Sequence, residues 1–261
     1  MADELVHYAL DRGVATIILD SPHNRNALSA QLRRELTDGL NRALDDPEAR
    51  VILLDHTGPV FCAGMDLKEA RGSEASEQGV NEFPRILTQI LTSDKPVVAK
   101  LAGPARAGGV GLVAAADITV AAREATFAFT EVRLGLVPAV ISVPVLPRLL
   151  PRQARELFLT GETFDADRAA EVGLINSAVD SADLDAEVDR YVTALSKGGP
   201  GALAATKRLL DGHHGLEQRF DEMLELSARF FAGEEAQEGI TAFAEKRAPR
   251  WVPGSGDPAS S

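Results

Sequence analysis

The stretch PARAGGVGLVAAADITVAAREATFAFTEVRLGLVPAVIS, residues 104–142, decides how this chain is read. Gly108 and Gly109 precede a run of Ala, Val and Leu that reads as a buried helix. The first N–H groups of a helix have no partner within it and carry partial positive charge, which suits an oxyanion. Close helix packing explains the same glycines equally well. Further on, Glu131 follows an apolar run and precedes Leu134, Leu136 and Val137. A carboxylate among apolar neighbours has a raised pKa and is suited to proton transfer near neutral pH. A surface glutamate, or one paired with Arg133, is the plainer alternative.

Outward from this stretch, strand-like and helix-like segments alternate. VATIILD (14–20) is β-branched and apolar, as a strand covered on both faces would be. Leu28, Leu32, Leu36, Leu40 and Ala43 recur at helical spacing with charges between them. VILLDHTG (51–58), KPVVAKLAG (95–103) and ADITVAA (116–122) read as further strands, so the alternation predicts an α/β domain with parallel pairing. From about residue 153 the pattern turns helical, with a break at Gly198–Pro200 and one long helix expected over residues 216–246. The division expected is an α/β core over 1–195, a helical region over 196–251 and a disordered tail over 252–261. Residues 71–82 are polar and small, the composition of a mobile loop, and Pro138, Pro144 and Pro147 are expected to keep any regular helix from forming after Glu131.

Composition narrows the function. The chain has 261 residues, is 45% hydrophobic and carries a formal net charge of −12, which argues against a nucleic-acid binder. One cysteine, Cys62, excludes an intrachain disulfide framework and is read as small packing; five histidines without ligand-like spacing give no metal signal. The start has no apolar signal-like run and nowhere is there an apolar run of about 20 residues to span a membrane, so a cytoplasmic protein is expected. His213 and His214 are read as part of an exposed helix connection and Trp251 as a packing anchor for the chain end.

The segment GPVFCAGMDLKEA (58–70) follows a strand and holds a small-residue turn whose N–H groups can point outward at a ligand. Two such donors from two loops would form an oxyanion hole, stabilising negative charge as it develops on a carbonyl oxygen.

Taken together, NRNALS, FCAGMDLKE, AGGVGLVAAADITVA, ATFAFTEVRLGLVP and EGITAFAEKRAPRW resemble the crotonase superfamily, also called the enoyl-CoA hydratase/isomerase family, over nearly the whole chain. The resemblance implies a spiral of ββα turns with a helical C-terminal subdomain, assembled as a homotrimer or homohexamer. It implies an acyl-CoA thioester as substrate, with coenzyme A entering as part of it and no separate cofactor or metal. It puts the oxyanion donors at the N–H groups of Met65 and Gly108 and the acid–base group at Glu131. Arg25 and Ala27 would flank the nucleotide, Ala63, Asp66 and Leu67 would pass near adenine and pantetheine, and Phe243 and Lys246 would reach coenzyme A, often across a subunit interface.

One position departs from the family pattern. Hydratases of the best-known type place a second glutamate where this chain has Gly111, on the wall facing the substrate. Reversible hydration with a second polar group from elsewhere is one reading. There a substrate carboxylate would help to position water, with Arg106 or Arg133 as its partner. Isomerisation of a 3-enoyl-CoA with Glu131 as sole base is another, and a non-catalytic acyl-CoA binder is the third.

Overall fold

The computed structural model describes residues 4–66, 69, 82–211 and 215–252. Strands β1 (Val6–Asp11) and β2 (Val14–Leu19) form an antiparallel hairpin, and helix α1 (Ala30–Asp45) leads to β3 (Val51–His56). Helix α2 (Glu82–Thr92), β4 (Val97–Leu101), β5 (Ala105–Arg106), α3 (Gly108–Ala115), β6 (Ile118–Ala122) and β7 (Thr126–Ala128) follow. After a 3₁₀ turn (Thr130–Leu134) come α4 (Ala139–Val145), α5 (Pro151–Thr160), β8 (Phe164–Asp165), α6 (Ala166–Glu171), β9 (Ser177–Val179) and α7 (Leu184–Ser196). Helices α8 (Pro200–Asp211), α9 (Leu216–Phe231) and α10 (Glu234–Glu245) close the chain.

Six strands form one sheet in the order β1-β2-β3-β4-β6-β9, parallel from β2 onward. Both faces are covered, which is why these strands read as unbroken apolar runs. Ile52, Leu54, Val97 and Ala99 face the main core with α1 and α2, whereas Val51, Val98 and Val120 face Leu184, Val188 and Val192 of α7. A small second sheet, β5-β7-β8, carries the chain from the first sheet toward α3 and the 3₁₀ turn.

The four strands expected from sequence are present as β2, β3, β4 and β6, trimmed by one or two residues at one end, and at both ends for β4. Two expectations are corrected. The long helix over 216–246 is two helices, because the chain is extended at Gly233 (φ −79°, ψ 159°) before α10 starts. A regular helix does follow Glu131. Pro138 sits at the cap of α4, where no donor is required, and Pro144 falls near its end, where a single lost N–H interrupts little. Leu216 and Phe220 of α9 join the main core, so the C-terminal helices pack on the α/β layer directly. The expected loop over 71–82, save Glu82, lies outside the described residues, as do His213, His214 and all of the tail beyond residue 252.

Candidate active site

Two turns meet at the C-terminal side of the parallel sheet. The first runs from Phe61 to Asp66 and is held by Phe61 N–H donating to Pro104 and Arg106 N–H donating to Cys62. The second is the entry to α3. Gly64 has φ +87°, and a Cβ there would lie 2.9 Å from Ala107 Cβ and 3.0 Å from the Arg106 carbonyl, so only glycine lets the turns approach. Ala107 itself is bent to φ 45° and ψ −117°, a conformation that alanine rarely adopts. Its N–H is tied to Ala128 and its carbonyl accepts from Val110 and Gly111. That bend leaves the N–H of Gly108 free of the helix. Neither Gly108 N–H nor Met65 N–H has a hydrogen-bond partner among the described residues.

The paired glycines are placed differently. Gly109 packs on the first turn, where a Cβ would lie 2.5 Å from the Cys62 carbonyl. Gly108 lines a cavity of about 540 Å³ together with Met65, Ala63, Arg25 and Glu131. Cys62 is fully buried and its thiol is pushed up to about 12, so it packs and does not react.

Glu131 is held on the 3₁₀ turn, which Gly135 closes in the left-handed conformation. Helix α10 clamps this turn from outside. Gly239 comes so close that a Cβ would lie 2.3 Å from the Leu134 carbonyl. The residue is only partly covered as a whole, but its Oε2 is sealed and without a hydrogen-bond partner. Burial therefore dominates and raises the carboxyl to about 7, against a smaller lowering by its own backbone N–H. Around it the wall is apolar: Leu134, Leu136, Val137, Val140 and Ile141, with Phe83 from α2 and Phe231 from α9.

Gly111 does not line the cavity. A Cβ at this position would lie 2.8 Å from Ile141 Cγ2 and 3.5 Å from Phe83 Cζ, so the space for a side chain is already filled. Arg106 lines the cavity, but its guanidinium donates to the Ala105 and Thr126 carbonyls and to Thr126 Oγ1. Arg133 also lines it, is exposed, and donates through Nε to the Thr160 carbonyl.

These features place the chain among known proteins. The sequence profile described as enoyl-CoA hydratase/isomerase matches residues 10–253. The chain belongs to the enoyl-CoA hydratase/isomerase family. A Rhodobacter capsulatus protein named "Probable enoyl-CoA hydratase" is 35% identical over 97% of this chain and 99% of its own length. The carnitinyl-CoA dehydratase of Proteus mirabilis is 34% identical over 94% of this chain and 97% of its own. The crystal structure of an enoyl-CoA hydratase from Mycobacterium avium superposes with a TM-score of 0.86 at 45% identity, covering 96% of this chain and 100% of the other.

Of the remaining positions singled out by the family resemblance, Arg25, Ala63 and Phe243 line the cavity. Arg25 lines it from a left-handed turn (φ 61°), and its carbonyl accepts from Ala63 N–H. Ala27 is buried beneath, and Asp66 accepts from Asn24 Nδ2 rather than facing the cavity. Phe243 lines the cavity from α10 of the same chain and is 64% exposed. Lys246 caps α10 in the left-handed conformation and lies outside the cavity wall. Leu67 lies outside the described residues. Trp251, expected as a packing anchor, is 42% exposed, and the segment just after α10 is held by Glu238, which accepts from Arg247 and from Arg250 N–H. Sequence reading missed Phe83 and Ile141, which line the cavity and fill the space at Gly111, and Arg33, buried beside Met65; their only signal is helical spacing shared with ordinary core residues.

Proposed function

We propose that the protein catalyses the reversible hydration of a 2-enoyl-CoA thioester, with Glu131 as the sole acid–base group. The observation that carries this is the sealed, unpartnered Glu131 Oε2 in the same cavity as two unpartnered backbone donors. The names of the relatives support the hydratase direction. The thioester oxygen docks between the N–H groups of Met65 and Gly108. Glu131 takes a proton from water as the water oxygen bonds to C3, and the C2–C3 π electrons move onto the thioester oxygen as an enolate. The protonated Glu131 then gives that proton to C2 as the carbonyl re-forms. Water has been added across the double bond and Glu131 is a carboxylate again. A carboxyl near 7 is well matched at neutral pH both to accept a proton and to return it.

This scheme uses no separate cofactor; coenzyme A enters with the substrate, with Arg25, Ala63 and Phe243 beside its path. The C-terminal helices are proposed to build a homotrimer or homohexamer, a reading supported by the exposed Leu209, Leu210, Trp251 and Val252.

The filled space at Gly111 favours a second reading. With no second carboxylate, Glu131 would take a proton from C2 of a 3-enoyl-CoA and return it to C4, moving the double bond into conjugation. Purified protein given each substrate separates the two. Mass spectrometry reads water added to the 2-enoyl ester, and ultraviolet absorbance reads the conjugated thioester formed from the 3-enoyl ester. Hydration supports the first reading, conversion without hydration replaces it with the second, and neither reaction with binding intact overturns both. Glu131→Gln is expected to slow the reaction by about 10²–10⁴-fold.

A further inference from the structure

We propose that Arg33 is a positioning residue for the oxyanion hole, an inference that rests on the roles given above to Met65 and Gly108. Arg33 sits on α1, away from the cavity surface, and its side chain is 1% exposed. A guanidinium stays ionised, so burying it is costly unless its donors are used. Here they are used on the site's own walls. Nη1 donates to the Leu28 carbonyl at 2.5 Å and lies 3.9 Å from Met65 Sδ, while Nε donates to Glu82 at 3.3 Å.

Each of these three contacts falls on, or next to, a residue that lines the cavity. Leu28 and Met65 line it and are themselves bridged, with Leu28 N–H donating to the Gly64 carbonyl at 2.7 Å. Glu82 immediately precedes Phe83, which also lines the cavity and lies beside Leu28 at Gly108. One rigid planar fork thus joins three pieces of chain distant in sequence, and the piece nearest its tip bears a proposed oxyanion donor. An ion pair alone does not explain the burial, because Glu82 is 54% exposed and such pairs contribute little. Two effects on the reaction follow. The fork fixes where Met65 N–H points, and its positive charge stands behind the donors in a water-poor interior, where it favours the enolate.

The test uses the full chain as wild type, Arg33→Met and Arg33→Lys, with 4-(dimethylamino)cinnamoyl-CoA as probe. The absorbance of this conjugated thioester moves to longer wavelength when its carbonyl is polarised. In wild type the bound probe is expected to shift. In Arg33→Met the shift shrinks while affinity stays within about threefold, and kcat on the enoyl-CoA substrate drops by roughly 10- to 100-fold with little change in KM. Arg33→Lys keeps the charge but loses the fork and falls between the two; it carries the same readouts where Arg33→Met does not fold. A shift and kcat within about twofold of wild type in the folded variants overturn the inference, as does a parallel loss of binding and turnover, which marks a merely structural residue. No shift in wild type with the probe bound instead removes the oxyanion-hole reading, and this inference with it.

Discussion

Removing the buried carboxylate should stabilise the fold, and by an amount that depends on pH. Glu131 titrates near 7 in the folded protein against 4.5 for the free group, so its pKa is raised by desolvation. Below the unfolded value both states are protonated and the site carries no penalty. As pH rises between the two values the folded state holds a proton that the unfolded state has released, and stability falls. Above about 7 the full cost of an ionised, unpartnered carboxylate is present, on the order of 3 kcal/mol at 1.36 kcal/mol per unit. Glu131→Gln fills the same space without that titration. The stability difference between variant and wild type is therefore expected to widen by about 2.5 kcal/mol between about pH 5 and about pH 9, in the variant's favour. Urea unfolding of both proteins at a series of pH values, at one protein concentration, measures it. Taking the change between two pH values cancels whatever constant effect the amide has. A difference that stays flat across this range would refute the reasoning, because it would mean Glu131 is hydrated in the folded protein.

Other outcomes follow from the same geometry. The pH profile of kcat/KM should fall on the acid side with an apparent pKa of about 7, as Glu131 becomes protonated and unable to start the reaction; Glu131→Gln should abolish that limb. Gly111→Ala should lower stability by about 1–3 kcal/mol in thermal or urea unfolding, since its Cβ would lie 2.8 Å from Ile141 Cγ2. Asp117→Ala should cost about 3–5 kcal/mol, because Lys207, whose side chain is 9% exposed, donates to Asp117 at 2.6 Å and would be left as a buried charge without a counter-ion, bonded only to the Ile90 and Lys95 carbonyls. The companion Lys207→Met should cost less, since Asp117 keeps its bond from Val97 N–H.

The parts legible in the sequence are those that repeat at short range. The apolar runs of β2, β3, β4 and β6 and the helically spaced leucines of α1 follow from local periodicity, and so did the parallel sheet. Elements of two or three residues, such as β5, β7 and β8, have too few side chains to show a period, and they exist because the turns at Phe61 and Ala107 bring them together. At the site, glycines and a glutamate were visible as candidates, but not what each glycine does. Gly64 and Gly109 are set by backbone contacts between two turns over forty residues apart in sequence, a distance that no local pattern carries. Arg33 was hidden for the same reason: on the sequence it is one charge between helical leucines, and only the fold turns it inward.

The empty place at Gly111 is best understood together with what surrounds it. Were it simply a lost side chain, a cavity would remain, and cavities in a packed interior are costly. Ile141 and Phe83 fill the space instead, so this chain has an apolar wall where a second carboxylate would otherwise stand. That wall has a consequence for Glu131. A second ionised group nearby would raise its pKa by repulsion, whereas an apolar wall raises it by excluding water, with burial the dominant cause here. Either route brings a carboxyl into the range where it can both accept and return a proton at neutral pH. The one-carboxylate arrangement thus keeps the acid–base group tuned while giving up a separate holder for water. The reaction's outcome then depends on whether water can enter beside Glu131 when substrate fills the cavity. Enlarging the wall by Ile141→Ala should admit water, raising the ratio of hydrated to isomerised product in a two-substrate assay; an unchanged ratio would mean that water reaches C3 by a route this wall does not control.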